Sequence, residues 1–185
     1  MYSPSGMPAP IPRPDRPIAL VGLMGAGKST VGKRLAKRLG LDFVDSDEEI
    51  ERAACRSISE IFAQFGEDSF RDGERRVIAR LIEGPPKVIA TGGGAFINEQ
   101  TRALILRRCI AVWLDADVET LAERVSRRDH RPLLKDKEPL PLLSGLANVR
   151  NPIYAEAPIH IRSQPAPHER AVERIIEALA DLRPL

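Results

Sequence analysis

The sequence predicts an α/β fold in which a parallel sheet is covered by helices on both faces, a three-layer sandwich. Short apolar runs alternate along the chain with longer stretches of helical periodicity, the pattern of strand–helix–strand units. The first three runs are followed at once by residues suited to ligand contact: the glycine loop 22–29, then Asp45 and Asp47, then Gly92, Gly93 and Gly94. Ligands of open parallel sheets bind at the carboxyl ends of strands, so these three positions belong together. With 185 residues, 43% hydrophobic and 29% charged, one domain with a sizeable core is expected.

The elements follow in order. Residues 18–21 (IALV) form a first strand, and after the glycine loop Val31, Leu35 and Leu39 mark a helix that Gly40 stops. A second strand runs over 41–44. Residues 48–82 are helical, broken near 55–57 and at Gly66, and Pro85 and Pro86 close them. The third strand, 87–91, leads into the glycine triplet, and a helix over 98–107 follows. The fourth strand covers 109–114, with Cys109 and Trp113 read as core. A helix near 118–125, an Arg-rich loop and a helix ending before Asn151-Pro152 come next. A fifth strand over 158–161 precedes an amphipathic helix carrying Val172, Ile175, Ile176, Leu179 and Leu182.

Composition excludes several roles. A net charge of +2 without a basic tail argues against nucleic acid as a partner. No apolar stretch reaches the roughly 18 residues of a membrane span. The two cysteines, Cys55 and Cys109, have no metal spacing and read as reduced thiols of a cytoplasmic protein. Residues 1–17 contain six prolines and no apolar signal core, so a disordered lead-in is expected before a single domain over 18–185.

The stretch Gly22-x4-Gly27-Lys28-Ser29 is a P-loop with a strand before it and a helix after it. Backbone N–H groups of Gly25, Ala26, Gly27, Lys28, Ser29 and Thr30 at a helix N-terminus suit nucleotide phosphates. Lys28 reaches the β- and γ-phosphates, and the Ser29 hydroxyl ligates Mg²⁺. ATP with Mg²⁺ is the expected cofactor pair. The strand that would carry a metal-binding Asp in a motor or switch NTPase ends here in Thr91 and glycines. The carboxylates stand instead at Asp45 and Asp47, whose side chains point the same way if that segment is extended. The other reading of these residues is an Asx-turn and helix N-cap. Arg71 lies one helical turn before Glu74, offering either a surface ion pair or a partly buried grip on a planar anion. Arg150, in RNPIY, stands just before a break expected at Pro152. A second glycine loop at 92–94 suits close approach of the backbone to a ligand, and a side chain at Gly93 would occupy the acceptor's space. The alternative is a turn needing positive φ, which one glycine satisfies.

Taken together, GLMGAGKSTVG (22–32), FVDSDEEIE (43–51), ISEIFAQFGEDSFRDGE (58–74), VIATGGGAF (88–96), RPLL (131–134) and RNPIY (150–154) resemble the shikimate kinases. The P-loop is shared by many families; FRxxE, ATGGGA and RPLL in this order are far more specific. The resemblance implies a five-stranded parallel sheet in a P-loop sandwich, a substrate subdomain over about 45–83 and a mobile lid over about 124–137. It also implies ATP-dependent phosphorylation of shikimate by a monomer. Asp47 would contact the ring hydroxyls and Asp45 would support Mg²⁺. Arg71 and Arg150 would hold the carboxylate, Glu74 would orient Arg71, and Gly92, Gly93 and Gly94 would line the pocket. Arg131 would close on the phosphates, with Arg124 or Arg128 at the adenine. Cys55-Arg56 and YAEAPIHI (154–161) depart from the family's usual residues. His130, His160 and His168 form no constellation. Two alternatives remain at this point. One is a gluconate- or nucleotide-type small-molecule kinase, and the other is a non-catalytic nucleotide-sensing regulator.

Overall fold

The computed structural model describes residues 14–127, 138–163 and 168–182. Most of the expected Pro-rich lead-in lies outside these residues, as do His130 and the expected lid arginine Arg131. Five strands, β1 (Ile18–Val21), β2 (Asp42–Asp45), β3 (Lys87–Ala90), β4 (Ile110–Ala116) and β5 (Ile159–Ser163), form one parallel sheet in the order β2-β3-β1-β4-β5. Seven helices are described: α1 (Lys28–Leu39), α2 (Ser46–Ala54), α3 (Ile58–Ile82), α4 (Glu99–Arg108), α5 (Val118–Ser126), α6 (Pro139–Tyr154) and α7 (His168–Asp181). None of the helices among the described residues is long and apolar enough to cross a membrane.

The sheet is the core. Strands β1, β3 and β4 are almost wholly buried because helices cover both faces, which is why they read as continuous rather than alternating apolar runs. Pairing is in register from Ile18 against Val88 and Ile110, and Pro17, just before β1, is buried and accepts the Ile110 N–H through its carbonyl at 2.8 Å. Element ends are set by cap chemistry. Gly40 ends α1 in the left-handed region, Ser57 and Glu60 form a reciprocal capping box at the start of α3, and Asn98 caps α4. Gly66, at φ 79°, kinks α3 where the periodicity breaks. Away from the sheet, Ile50, Ile61 and Phe70 of α2 and α3 form a small apolar cluster of their own.

One expected break is absent. Helix α6 continues through Pro152 to Tyr154 rather than ending at Asn151. Proline removes a single helical hydrogen bond, and so near the C-terminus that loss is small; the Ala155 N–H still bonds the Asn151 carbonyl at 3.0 Å. As a result Arg150 and Tyr154 lie four residues apart on one helical face.

Because β3 sits between β2 and β1, the three suspect loops emerge side by side. Asp45–Asp47 follows β2, the glycine triplet follows β3, and the P-loop follows β1.

Candidate active site

The P-loop leaves β1 at Val21 and enters α1 through Gly27, whose φ of 91° is open to glycine and strained for other residues. A Cβ at Gly25 would lie 2.9 Å from Val125 and 3.2 Å from the Leu121 carbonyl, so α5 packs directly on the loop. Ala26 is buried, and Thr30 sits half-buried in the first turn of α1. The Lys28 ammonium donates to the carbonyls of Gly22 (2.7 Å) and Leu23 (2.8 Å), which hold it over the loop. From α1 the Ser29 hydroxyl donates to Asp45 Oδ2 at 2.7 Å and so ties the loop to the end of β2.

The geometry of Asp45 and Asp47 differs from the extended arrangement expected. Strand β2 stops at Asp45 and α2 begins at Ser46, so the two carboxylates do not follow strand alternation. The cause is capping: Asp45 Oδ1 accepts the Asp47 N–H at 3.0 Å, which turns the chain into the helix. The cap and the Ser29 contact use different oxygens of one carboxylate, so the two readings of Asp45 are compatible. Between the acids, Ser46 is fully buried and its hydroxyl accepts the Gly92 N–H at 3.1 Å. A serine between two acids carries no sequence signal for that contact, and Ser46 is not among the expected site residues.

Asp47 and Glu74 converge beside Gly92. A Cβ there would stand 2.6 Å from Asp47 Oδ1 and 3.2 Å from Glu74 Oε1. Glu74 is only 1% exposed, and burial raises its carboxyl above the ordinary range. The Arg71 guanidinium opposes that rise, and the Asp47 charge adds to it. Arg71 Nη1 donates to Glu74 Oε2 at 2.7 Å, Nη2 reaches Glu67 at 3.5 Å, and the guanidinium lies 5.0 Å from the centre of the Phe70 ring. The i,i+3 pair is thus the partly buried kind, since the second acid has almost no access to water.

Arg150 comes from the other side. Its Nη1 donates to the Gly93 carbonyl at 3.5 Å, and the Tyr154 hydroxyl donates to the same oxygen. Glu67, Asp68, Arg71, Gly94, Ile97, Asn98 and Arg150 line a cleft of about 260 Å³. Two guanidinium groups on one small cleft favour a planar anion held bidentately.

Within the glycine triplet, where the acceptor's space was expected at Gly93, the protein's own atoms crowd the two neighbours instead. A Cβ at Gly93 would meet its nearest neighbours, Met24 N, Gly22 O and Arg150 Nη1, at 3.6, 3.7 and 3.9 Å, which is ordinary contact. The crowded positions flank it: Gly92 against Asp47, and Gly94, where a Cβ would fall 2.3 Å from Arg71 Nη2. None of the three has positive φ, so close approach and not turn geometry calls for glycine. Gly93 also faces the P-loop backbone, which makes it a junction between the two loops.

Of the other expected residues, Arg124 donates to the Gly25 carbonyl at 3.3 Å, while Arg128 lies outside the described residues with Arg131. His168, at the start of α7, has Cε1 3.3 Å from the point where a Gly27 Cβ would stand. His160 is away from the site, stacked on Trp113 at 4.0 Å and paired with Asp115 at 3.1 Å. No group of three or more His, Cys, Asp and Glu among the described residues is placed to hold a metal. Mg²⁺ commonly takes only one or two protein oxygens beside phosphate and water, so the hard oxygens of Ser29 and Asp45 fit it.

Comparison with known proteins agrees with this geometry. The family model described as shikimate kinase matches residues 24–180. A shikimate kinase of Caulobacter vibrioides is 62% identical over 162 residues, spanning 88% of this chain and 81% of that protein. One from Novosphingobium aromaticivorans is 57% identical over 171 residues, spanning 90% and 89%. The solved structure of shikimate kinase from Acinetobacter baumannii in complex with shikimate superposes with a TM-score of 0.86 at 37% identity, covering 92% of this chain and 97% of that one. With three loops assembled at one sheet end and this identity along most of its length, the chain belongs to the shikimate kinase family.

Proposed function

We propose that the protein transfers the γ-phosphoryl group of ATP to the 3-hydroxyl of shikimate, releasing shikimate 3-phosphate and ADP in aromatic amino acid biosynthesis. The observation that carries this reading is the convergence of Arg71 and Arg150 on one cleft, with Asp47 and the P-loop across the glycine triplet. In this reading the two guanidiniums hold the acceptor's lone carboxylate, and Asp47 orients the ring hydroxyl toward the phosphates. A new bond forms from that oxygen to phosphorus as the bond to the β,γ-bridging oxygen breaks, and Asp47 takes the hydroxyl proton late. Lys28 and Arg131 neutralise charge on the moving group. Mg²⁺ when bound supplies further charge at the phosphates, and Ser29 with Asp45 would hold it. Helices α2 and α3, with their own apolar cluster, act as the substrate subdomain. The absence of a disulfide among the described residues, with Cys109 buried and Cys55 exposed as thiols, supports a cytoplasmic setting.

The test is ADP release by the wild-type protein with shikimate, gluconate or AMP as acceptor. Turnover is expected with shikimate, and at least about a hundredfold lower kcat/KM with the others, because neither an open-chain acid nor a nucleotide sets its anion in the arginine cleft and a hydroxyl at Asp47 at the spacing of the shikimate ring. Comparable turnover of gluconate or AMP would reassign the acceptor.

The glycines separate the roles further. Gly94→Ala places a methyl against the Arg71 guanidinium, which can swing away, so shikimate KM is expected to rise about ten- to a hundredfold. Gly92→Ala displaces the Asp47 carboxylate and lowers kcat by a similar factor. Gly93→Ala fits its space and is expected to leave KM within about twofold. Steady-state kinetics on the three variants check this, and a Gly93→Ala effect larger than the other two would overturn the assignment.

A further inference from the structure

Tyr154 belongs to none of the roles described above, yet it is 1% exposed and its hydroxyl bonds the central carbonyl of the glycine triplet, 61 residues away in sequence. Its ring is held between Phe96, whose centroid is 6.4 Å away, and Trp113, at 6.1 Å. Burial pushes the phenol up to about 12, against the pull of Arg150 and Arg71, so the hydroxyl keeps its proton and acts as a donor. Arg150, one turn earlier on α6, shares that carbonyl.

The consequence follows from the peptide bond. A trans peptide is planar, and its C=O and N–H point in opposite directions. Holding the Gly93 carbonyl toward α6 therefore fixes the plane of the Gly93–Gly94 peptide and turns the Gly94 N–H away from Tyr154. Gly94 lines the cleft and lies against Arg71. The flanks are held locally, since the Ala95 N–H bonds the Gly92 carbonyl and the Ile97 N–H bonds the Gly94 carbonyl, each at 3.1 Å. The peptide at the centre of that turn can still flip with its flanks in place, and with no side chain on either glycine the flip costs little. We propose that Tyr154 is a positioning residue for the acceptor: its hydroxyl locks the Gly93–Gly94 peptide and keeps Arg150 and Arg71 in register across the cleft. The P-loop packs on the other side of Gly93, yet the phosphate-binding N–H groups belong to residues after Met24, so the nucleotide side is less dependent on this bond.

This inference rests on shikimate being the acceptor. The experiment is Tyr154→Phe, which keeps the ring between Phe96 and Trp113 and removes only the donor. Wild-type activity with shikimate is measured first and tests the function separately. In the variant, shikimate KM is expected to rise about tenfold, the scale of one buried hydrogen bond, while ATP KM stays within about twofold. Combined with Arg150→Lys, the rise is expected to be less than the product of the two single effects, because both side chains act on one carbonyl. If wild type turns over shikimate and Tyr154→Phe leaves its KM unchanged, the proposal fails. It fails equally if both KM values rise together with a fall in melting temperature, since that is the mark of a merely structural tyrosine.

Discussion

Lys28→Met is expected to lower kcat by at least about 10²–10³-fold while the protein keeps its fold. The size follows from where the charge sits. Lys28 is the first residue of α1, and its ammonium is held by the Gly22 and Leu23 carbonyls over the loop whose N–H groups face the phosphates. Negative charge shifts among the phosphate oxygens as the phosphoryl group moves, so a fixed cation there stabilises the transition state more than the ground state. Methionine fills the volume of the lysine stem but carries no charge and donates no hydrogen bond. Lys28 is only partly buried and outside the apolar core, so water can satisfy the two carbonyls it leaves. Steady-state kinetics with a circular dichroism melt separate loss of chemistry from loss of structure. A variant that retains wild-type kcat would remove the assignment of this loop to ATP.

The second large effect is on acceptor affinity. Arg150→Ala and Arg71→Ala are each expected to raise shikimate KM by about 30-fold to several thousandfold, the equivalent of roughly 2–5 kcal/mol for truncating one partner of a buried charge pair. Their contacts lie away from the reacting oxygen and so are similar in the ground and transition states, which places the loss in KM more than in kcat. Arg150→Lys should recover only part, because an ammonium cannot reproduce the two parallel donors of a guanidinium. The two alanine variants differ in one respect. Arg71 balances the buried Glu74, so its removal leaves an uncompensated carboxylate, which then takes up a proton or destabilises the fold. Among the described residues no buried carboxylate depends on Arg150, and its alanine variant should melt close to wild type. ATP KM should hardly move in either. If shikimate KM stays within about twofold for both alanine variants, the carboxylate clamp is wrong and the acceptor must be sought elsewhere in the cleft.

The strand and helix boundaries read from sequence differ from those in the structure mostly by one or two residues. These shifts have local causes. Strand β2 extends to Asp45 because that residue is both the last of the strand and the cap of α2. Helix α6 runs past Pro152 because proline is tolerated in a last turn that loses only one bond. The crowding within the glycine triplet is of another kind. Three identical residues offer no internal signal of which one is crowded, and only the positions of Asp47 and Arg71 single out Gly92 and Gly94.

What could be read directly were the features encoded between near neighbours. The alternation of apolar runs with helical periodicity, the P-loop between a strand and a helix, the breaks near 55–57 and at Gly66 and the Arg71–Glu74 spacing all depend on residues within a few positions of each other. The resemblance to shikimate kinases rests on the same short motifs in their order. What could not be read depends on the strand order. Placing β3 between β2 and β1 brings Ser46 to Gly92, 46 residues on, and Tyr154 to Gly93, 61 residues back. A backbone N–H donates to any suitable acceptor and a carbonyl accepts from any suitable donor, so no pattern in the chain announces which distant hydroxyl will meet it. That choice is made when the helices pack onto the two faces of the sheet, and it is these long-range bonds that set the glycine loop between the cleft of Arg71 and Arg150 and the P-loop.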